Sequence, residues 1–275
     1  MISPHRIRYN NIFSNELNMP DLIMCVALDS DNGEVGTYLN REAVASESHD
    51  GRYKRIHSFK YTETFAPKFT FIKKDFGNFE MNEIRTVLKW LTSKDTTAIL
   101  ETYYDDSNVV SWASIGGFVD LQTHKLANNR TIAITATWDS ISPFALSDLY
   151  TVTKTITSTN NKITINIDTD DNKPVYPRVT IQANSANIKF INKHTDFFNK
   201  SKSYNSIALT NNTSGEKIIV DGANKIISSS NTKRILGDDF NWVWLELYDG
   251  KNEITVEGNC IVTLEYRTVI KCGEY

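Results

Sequence analysis

A chain of 275 residues with 40% hydrophobic and 23% charged residues has the makeup of a soluble globular protein, long enough for one large or two ordinary domains. The net charge of −3 argues against nucleic-acid recognition as its main work, and no window approaches the roughly 20 apolar residues that a membrane-spanning helix needs. Three cysteines, Cys25, Cys260 and Cys272, are too few and too scattered for a disulfide framework or a zinc knuckle, and are expected to be thiols of a chain made in a reducing cytosol. Met1-Ile2-Ser3-Pro4-His5-Arg6 leads into polar sequence without an apolar h-region, so no secretory signal is expected and folding in the cytoplasm is.

From the start, Arg6-Ile7-Arg8-Tyr9 alternates as a strand, and Leu22–Leu28 is a continuous apolar run that predicts a core strand. Asn32-Gly33 suits a tight turn. Thr37–Asp50 is short of large apolar residues and reads as an exposed loop or arm. Tyr53–Tyr61 and Lys68–Lys74 follow as strands, the second half-buried in pattern through Phe69-Thr70-Phe71-Ile72.

Within Asn82–Asp95, Ile84, Val87, Leu88 and Leu91 recur at i, i+3, i+4 and i+7, which is one face of a helix. Asn82 is the expected N-cap, with Glu83 and Lys94 complementing the dipole. Ala98–Tyr104 and Val109–Ala113 predict a hairpin around an Asp105-Asp106-Ser107-Asn108 turn. Gly116-Gly117 predicts a bend or bulge before Phe118–Gln122. Thr131–Trp138 alternates over a full strand, with Ile132, Ile134, Ala136 and Trp138 on one face.

Beyond Leu146–Tyr150 helix signals vanish and short strands take over, punctuated by Asn, Ser, Asp and Gly. Lys162–Ile167, Arg178–Gln182, Ile188–Ile191, Ser206–Thr210 and Lys217–Val220 read as strands. Asp221-Gly222 followed by Asn224–Ile227 predicts a hairpin, as does Leu245–Tyr248 turning through Asp249–Asn252 into Ile254–Val256. Cys260–Tyr266 completes the set, with Val262, Leu264 and Tyr266 on one face. The pattern predicts an α+β first domain over residues 1–147, β-rich with one short amphipathic helix, and an all-β sandwich over 148–275. Thr268–Tyr275 is open between staying in the sandwich and returning to the first domain.

The order Arg85…Trp90-Leu91, Tyr103-Tyr104, Gly116-Gly117-Phe118, Asn128-Asn129-Arg130, an alternating strand and Ser142-Pro143-Phe144-Ala145 resembles the distal tail (Dit) family of long-tailed, non-contractile phages. Phe240–Leu245, Gly250-Lys251-Asn252 and Tyr266-Arg267 resemble the second half of the same family, whose C-terminal domain is a galectin-like sandwich. The resemblance covers almost the whole chain, most weakly at Thr37–Tyr61 and the final residues. It implies a virion structural protein at the tail tip, assembled in the host cytoplasm and closing into a hexameric ring. It further implies the tail tube protein and a tail-associated hub protein as partners on the two ring faces, with receptor-binding proteins docked in some homologues. On this reading the ring contacts lie near Tyr103–Trp112 and Thr37–Asp50. A phage-derived bacteriocin or injection machine would read the same way.

A search for chemistry finds no support for an enzyme. The histidines at 5, 49, 57, 124 and 194 have no zinc-binding spacing. Asp168-x-Asp170-x-Asn172 lacks the glycine and closing carboxylate of a calcium loop, and reads as a polar turn, as does Asp29-x-Asp31. Asp105-Asp106 and Asp238-Asp239 read as solvated turns rather than glycosidase carboxylates. There is no nucleophile elbow, phosphate loop or dinucleotide fingerprint, so no catalytic residue, metal or cofactor is expected. Trp242 and Trp244, two apart on an expected strand, would share one face. They are read as core or interface packing, with a sugar-stacking platform on a carbohydrate-binding module as the alternative.

Overall fold

The computed structural model describes residues 6–17, 22–25, 41–47, 53–103, 108–126, 129–195 and 202–271, with backbone alone at 22–25, 194–195 and 202–205. The chain divides into two compact units, Met1–Asp148 with Ile270–Tyr275, and Leu149–Val269. Ile270 packs against the core of the first.

The first unit is built from β1 (Arg6–Tyr9), β2 (Ile12–Phe13), β3 (Leu22–Cys25), β4 (Arg41–Glu47), β5 (Lys54–Tyr61), β6 (Lys68–Lys73), helix α1 (Met81–Leu91), β7 (Ala98–Tyr103), β8 (Trp112–Lys125), β9 (Thr131–Ser140) and β10 (Ala145–Leu146). Strands run in the order β2-β1-β7-β8-β9-β6-β3, with β10 against β8, while β4 and β5 form a sheet of their own. The apolar run at Leu22 therefore supplies an end strand of this sheet rather than a central one, and its continuation lies outside the described residues. The Asn32-Gly33 turn lies outside them as well. The stretch read as a loop at Thr37–Asp50 holds strand β4, because Arg41–Glu47 finds a backbone partner in β5.

Helix α1 buries Val87, Trp90 and Leu91, with Ile84 and Leu88 packed beside them. Each such side chain removed from water contributes roughly 1.5–3 kcal/mol. The helix starts earlier than the sequence suggests. Glu80, in extended conformation, is the N-cap, and its amide donates to Glu83 Oε2 at 2.7 Å. Lys73 completes this start with a 3.0 Å ion pair to Glu83. Asn82 lies inside the first turn. The helix stops at Leu91, where the Thr92 hydroxyl returns to the Leu88 carbonyl at 2.8 Å, so Lys89 rather than Lys94 sits in the last turn.

Under the helix lies a cluster of edge-to-face rings. Phe118 lies 5.2 Å from Tyr9 and 5.0 Å from Trp138, and Trp90 lies 6.1 Å from Tyr9. The two indole N–H groups are satisfied, Trp90 by the Tyr9 carbonyl at 3.1 Å and Trp138 by the Ser114 hydroxyl at 3.0 Å. Ile134, Ala136 and Trp138 face this core as their alternation predicts, with Ile132 only half-buried. Thr131, Ala133 and Thr135 on the opposite face are buried too. Gly116 does not form a bulge; it sits in register against Ser140. A Cβ there would stand 2.0 Å from the Asp139 carbonyl oxygen, so close backbone approach is what requires glycine. The irregularity falls later, between Val119 and Gln122, where Asp120 takes φ 49°.

The second unit contains β11 (Tyr150–Ile156), β12 (Lys162–Ile167), β13 (Arg178–Ala183), β14 (Ile188–Thr195), β15 (Lys202–Leu209), β16 (Lys217–Asp221), β17 (Ile226–Ser229), β18 (Gly250–Glu257) and β19 (Cys260–Tyr266). They form two antiparallel sheets, β11-β19-β13-β16-β17 and β12-β18-β14-β15, whose inner faces share one apolar core. This is a β-sandwich. Cys260, Val262, Leu264 and Tyr266 all point inward, and burial pushes the Cys260 thiol up to about 11. Strand β11 escapes the sequence pattern because its threonines and lysine alternate with a single fully buried residue, Ile156. The expected Leu245–Val256 hairpin does not form. Residues 245–248 make only an isolated bridge, Val175 to Leu247, and β18 pairs instead with β12 and β14.

Candidate assembly surfaces

The β4–β5 ribbon is amphipathic, and its apolar side is largely exposed, with the Arg41 guanidinium 5.1 Å from the Phe59 ring on that face. Register pairs Arg41 with Tyr61, Ala43 with Phe59 and Ala45 with Ile56, so these side chains share one face. A bulge after Val44 absorbs the extra residue on β5 and keeps Ile56 and Phe59 on the same side. Phe59 is 56% and Ile56 52% exposed. The opposite face pairs Glu42 with Lys60 through a 3.0 Å ion pair, and the Ser46 hydroxyl meets His57 Nε2 at 2.8 Å. At its base the ribbon is anchored by Tyr61, edge-on to Phe144 at 4.7 Å. A two-stranded ribbon is at best marginally stable alone in water, so one bearing exposed aromatic and branched side chains needs a surface to lie on.

Of the other expected contact region, Tyr103–Trp112, residues 104–107 lie outside the described residues, and most of the large apolar side chains of the rest turn inward. Tyr103, Val110 and Trp112 are buried, leaving Val109, 67% exposed, as the large apolar side chain it offers among the described residues. Tyr103 donates to Glu101 Oε2 at 3.3 Å, and that carboxylate also pairs with Arg8. Burial, with the Glu101 charge, raises the Tyr103 phenol above its ordinary value.

In the second unit, the long segment between β17 and β18 is pinned by an arginine whose side chain is only 7% exposed. Arg234 donates to Glu216 Oε1 at 2.8 Å, Asp239 Oδ2 at 3.0 Å, Asn212 Oδ1 at 3.1 Å and the Thr210 carbonyl. Burial works to raise Glu216, but the Ser229 hydroxyl, the Thr213 amide and Arg234 together hold its carboxyl below the ordinary range. Asp239 of the Asp238-Asp239 pair thus belongs to a structural network. The sequence offered no periodic signal for it, since its members are scattered from Thr210 to Asp239.

Trp242 and Trp244 do not share a strand face. Trp242 sits at φ 55° and is 57% exposed, with its indole N–H donating to the Gly237 carbonyl at 3.0 Å. Trp244 is half-buried against the sandwich core, edge-on to Phe240 at 5.3 Å. The positive φ of Trp242 breaks the alternation on which the shared face depended. Thr169 amide donates to Asp249 Oδ1 at 3.2 Å, which ties the Asp168–Asn172 turn to the chain. Among the described residues no three His, Cys, Asp or Glu side chains gather as a metal-ligand group.

Models of phage tail proteins match both halves of the sequence, an N-terminal domain over residues 6–140 and a C-terminal domain over residues 144–266. The chain belongs to this phage tail protein family. Among curated proteins none matches it in sequence. The SPP1 Dit protein, described as a paradigm of the hub adsorption apparatus in phages infecting Gram-positive hosts, superposes with TM-score 0.62 at 10% identity, over 95% of this chain and 98% of that one. A chain of the phage P2 baseplate in its activated conformation gives 0.54 at 10% identity, over 98% and 99%. This phage tail protein therefore has the Dit fold along nearly its full length, as its sequence resemblance implied.

Proposed function

We propose that this phage tail protein is a hub subunit, copies of which close into a ring, hexameric by family resemblance, joining the tail tube to the tail tip or baseplate and its adhesion device. Its work on this reading is mechanical rather than catalytic. Its partners are further copies of itself, the tube protein, a tail-associated hub protein and, around the rim, a receptor-binding protein. It is assembled in the host cytoplasm and carried in the virion. The observation that supports this most is the β4–β5 ribbon, whose apolar face with Ile56 and Phe59 is more than half exposed. A ring gives every such face a neighbour and closes sheet edges that would otherwise invite aggregation. The test is native mass of the full chain beside an Ile56→Ser/Phe59→Ser variant. A mass of several subunits that falls to one in the variant supports the ring; a strictly monomeric wild type, even with the tube protein present, overturns it.

A second reading, a carbohydrate-binding module, draws on Trp242, 57% exposed. The nearby polar groups are already engaged: Asn241 Oδ1 accepts from the Ala208 amide and its Nδ2 donates to the Ser206 carbonyl. Glycan-array binding lost in Trp242→Ala, with folding intact, would promote it.

A further inference from the structure

The hairpin between β16 and β17 carries a lysine that reaches back onto a group of aromatic side chains. Asp221 holds the turn, accepting from the Asn224 amide at 3.0 Å, and Lys225 follows at φ 57°. Its Nζ stands 3.4 Å from the Tyr176 ring centroid and 5.4 Å from that of Trp244. Beside them is Glu246, fixed by two phenols: Tyr176 donates to Oε1 at 3.1 Å and Tyr248 to Oε2 at 2.5 Å. The Glu246 backbone is fixed too, its carbonyl accepting from the buried Asn192 amide at 2.6 Å. Two ring faces meeting a cation, with a carboxylate nearby, are elements by which proteins recognise organic ammonium groups.

We infer that Tyr176, Trp244 and Glu246 form a binding site for a quaternary ammonium group of the choline type, plugged in this state by the chain's own Lys225. The lysine head shows which charge the site accepts, and its chemistry shows why it is a stand-in. An alkylammonium brings three N–H donors that ring faces cannot satisfy and that must stay hydrated. A quaternary ammonium has no N–H to satisfy and loses nothing there. Burial holds the Lys225 ammonium below its ordinary range, with the Glu246 charge working the other way. The plug is tethered to an exposed turn and can swing out without disturbing the sandwich core.

The experiment titrates choline chloride into the full chain and into Lys225→Asn, following tryptophan fluorescence and heat. Asparagine tolerates the left-handed backbone while removing the charge. Should that variant not fold, Lys225→Gly replaces it. The expected result is saturable binding at least about tenfold tighter in the variant than in wild type, since a plugged site binds in proportion to the fraction open. Ammonium chloride at equal ionic strength should not compete, and adding Tyr176→Leu should abolish the signal. A folded variant that gains no choline binding over wild type, that binds ammonium as tightly, or that is indifferent to Tyr176→Leu overturns the assignment.

Discussion

Strand β12 of the second unit sets Ile163, Ile165 and Ile167 against a facing sheet, where each is no more than 4% exposed, whereas β5 of the first unit leaves Ile56 and Phe59 more than half exposed. Both strands carry apolar side chains on one face and polar ones on the other. What differs is whether the same chain supplies the opposing surface. In the sandwich it does, and the long irregular segment between β17 and β18 is closed by an ion network around Arg234. In the ribbon no described part of the chain does: backbone pairing is completed while Ile56 and Phe59 stay exposed, and the proposed ring would supply the opposing surface. The contrast teaches that alternation predicts which face will be buried but not whose surface will bury it.

If the sandwich is self-contained, its largest single vulnerability is the pinned segment. Arg234→Met should lower the stability of the second unit by about 3–5 kcal/mol in denaturant unfolding, because Glu216 would be left charged and buried without its counter-ion. A loss under 1 kcal/mol would mean that the network is ornamental. Next in size is Gly116→Ala, expected to cost roughly 1–3 kcal/mol or more in the first unit, since its Cβ would meet the Asp139 carbonyl. Unchanged melting there would show that β8 and β9 can separate without penalty.

Acid should weaken the Arg234 network more gently. The Glu216 carboxyl is held below its ordinary value, so its contribution is complete above about pH 4.3 and is lost as pH falls through the lower folded value. Thermal unfolding in Glu216→Gln should show a shallower loss across that window than wild type. The smallest effect on stability is expected in the ribbon. Ile56→Ser/Phe59→Ser should leave monomer unfolding within about 0.5 kcal/mol of wild type, as surface changes do. A large loss would mean that these side chains have intramolecular partners beyond the exposed Arg41–Phe59 contact.

Regular periodicity made much of this fold legible. The helix, the β9 strand, and the β12, β13, β16 and β19 strands follow from spacing alone, because a single buried face writes a period of 3.6 or 2 into the residues. Three features were hidden for identifiable reasons. Glu80 caps α1 through its backbone amide and Glu83, which leaves no Ser, Thr, Asp or Asn to mark the position. Gly116 is needed by a strand more than twenty residues away, and local sequence carries no trace of that contact. Trp242 leaves the extended region, so the interval between it and Trp244 no longer describes a face. The ribbon was half legible: the polar character of Arg41–Glu47 suggested an exposed arm, and only the register with β5 revealed its apolar side.

The most direct test is the native mass of the full chain across a concentration series, measured beside the Ile56→Ser/Phe59→Ser variant. The account predicts a discrete closed oligomer for the wild type and a folded monomer for the variant. A wild type that stays monomeric at every concentration, or a variant that assembles equally well, would contradict it.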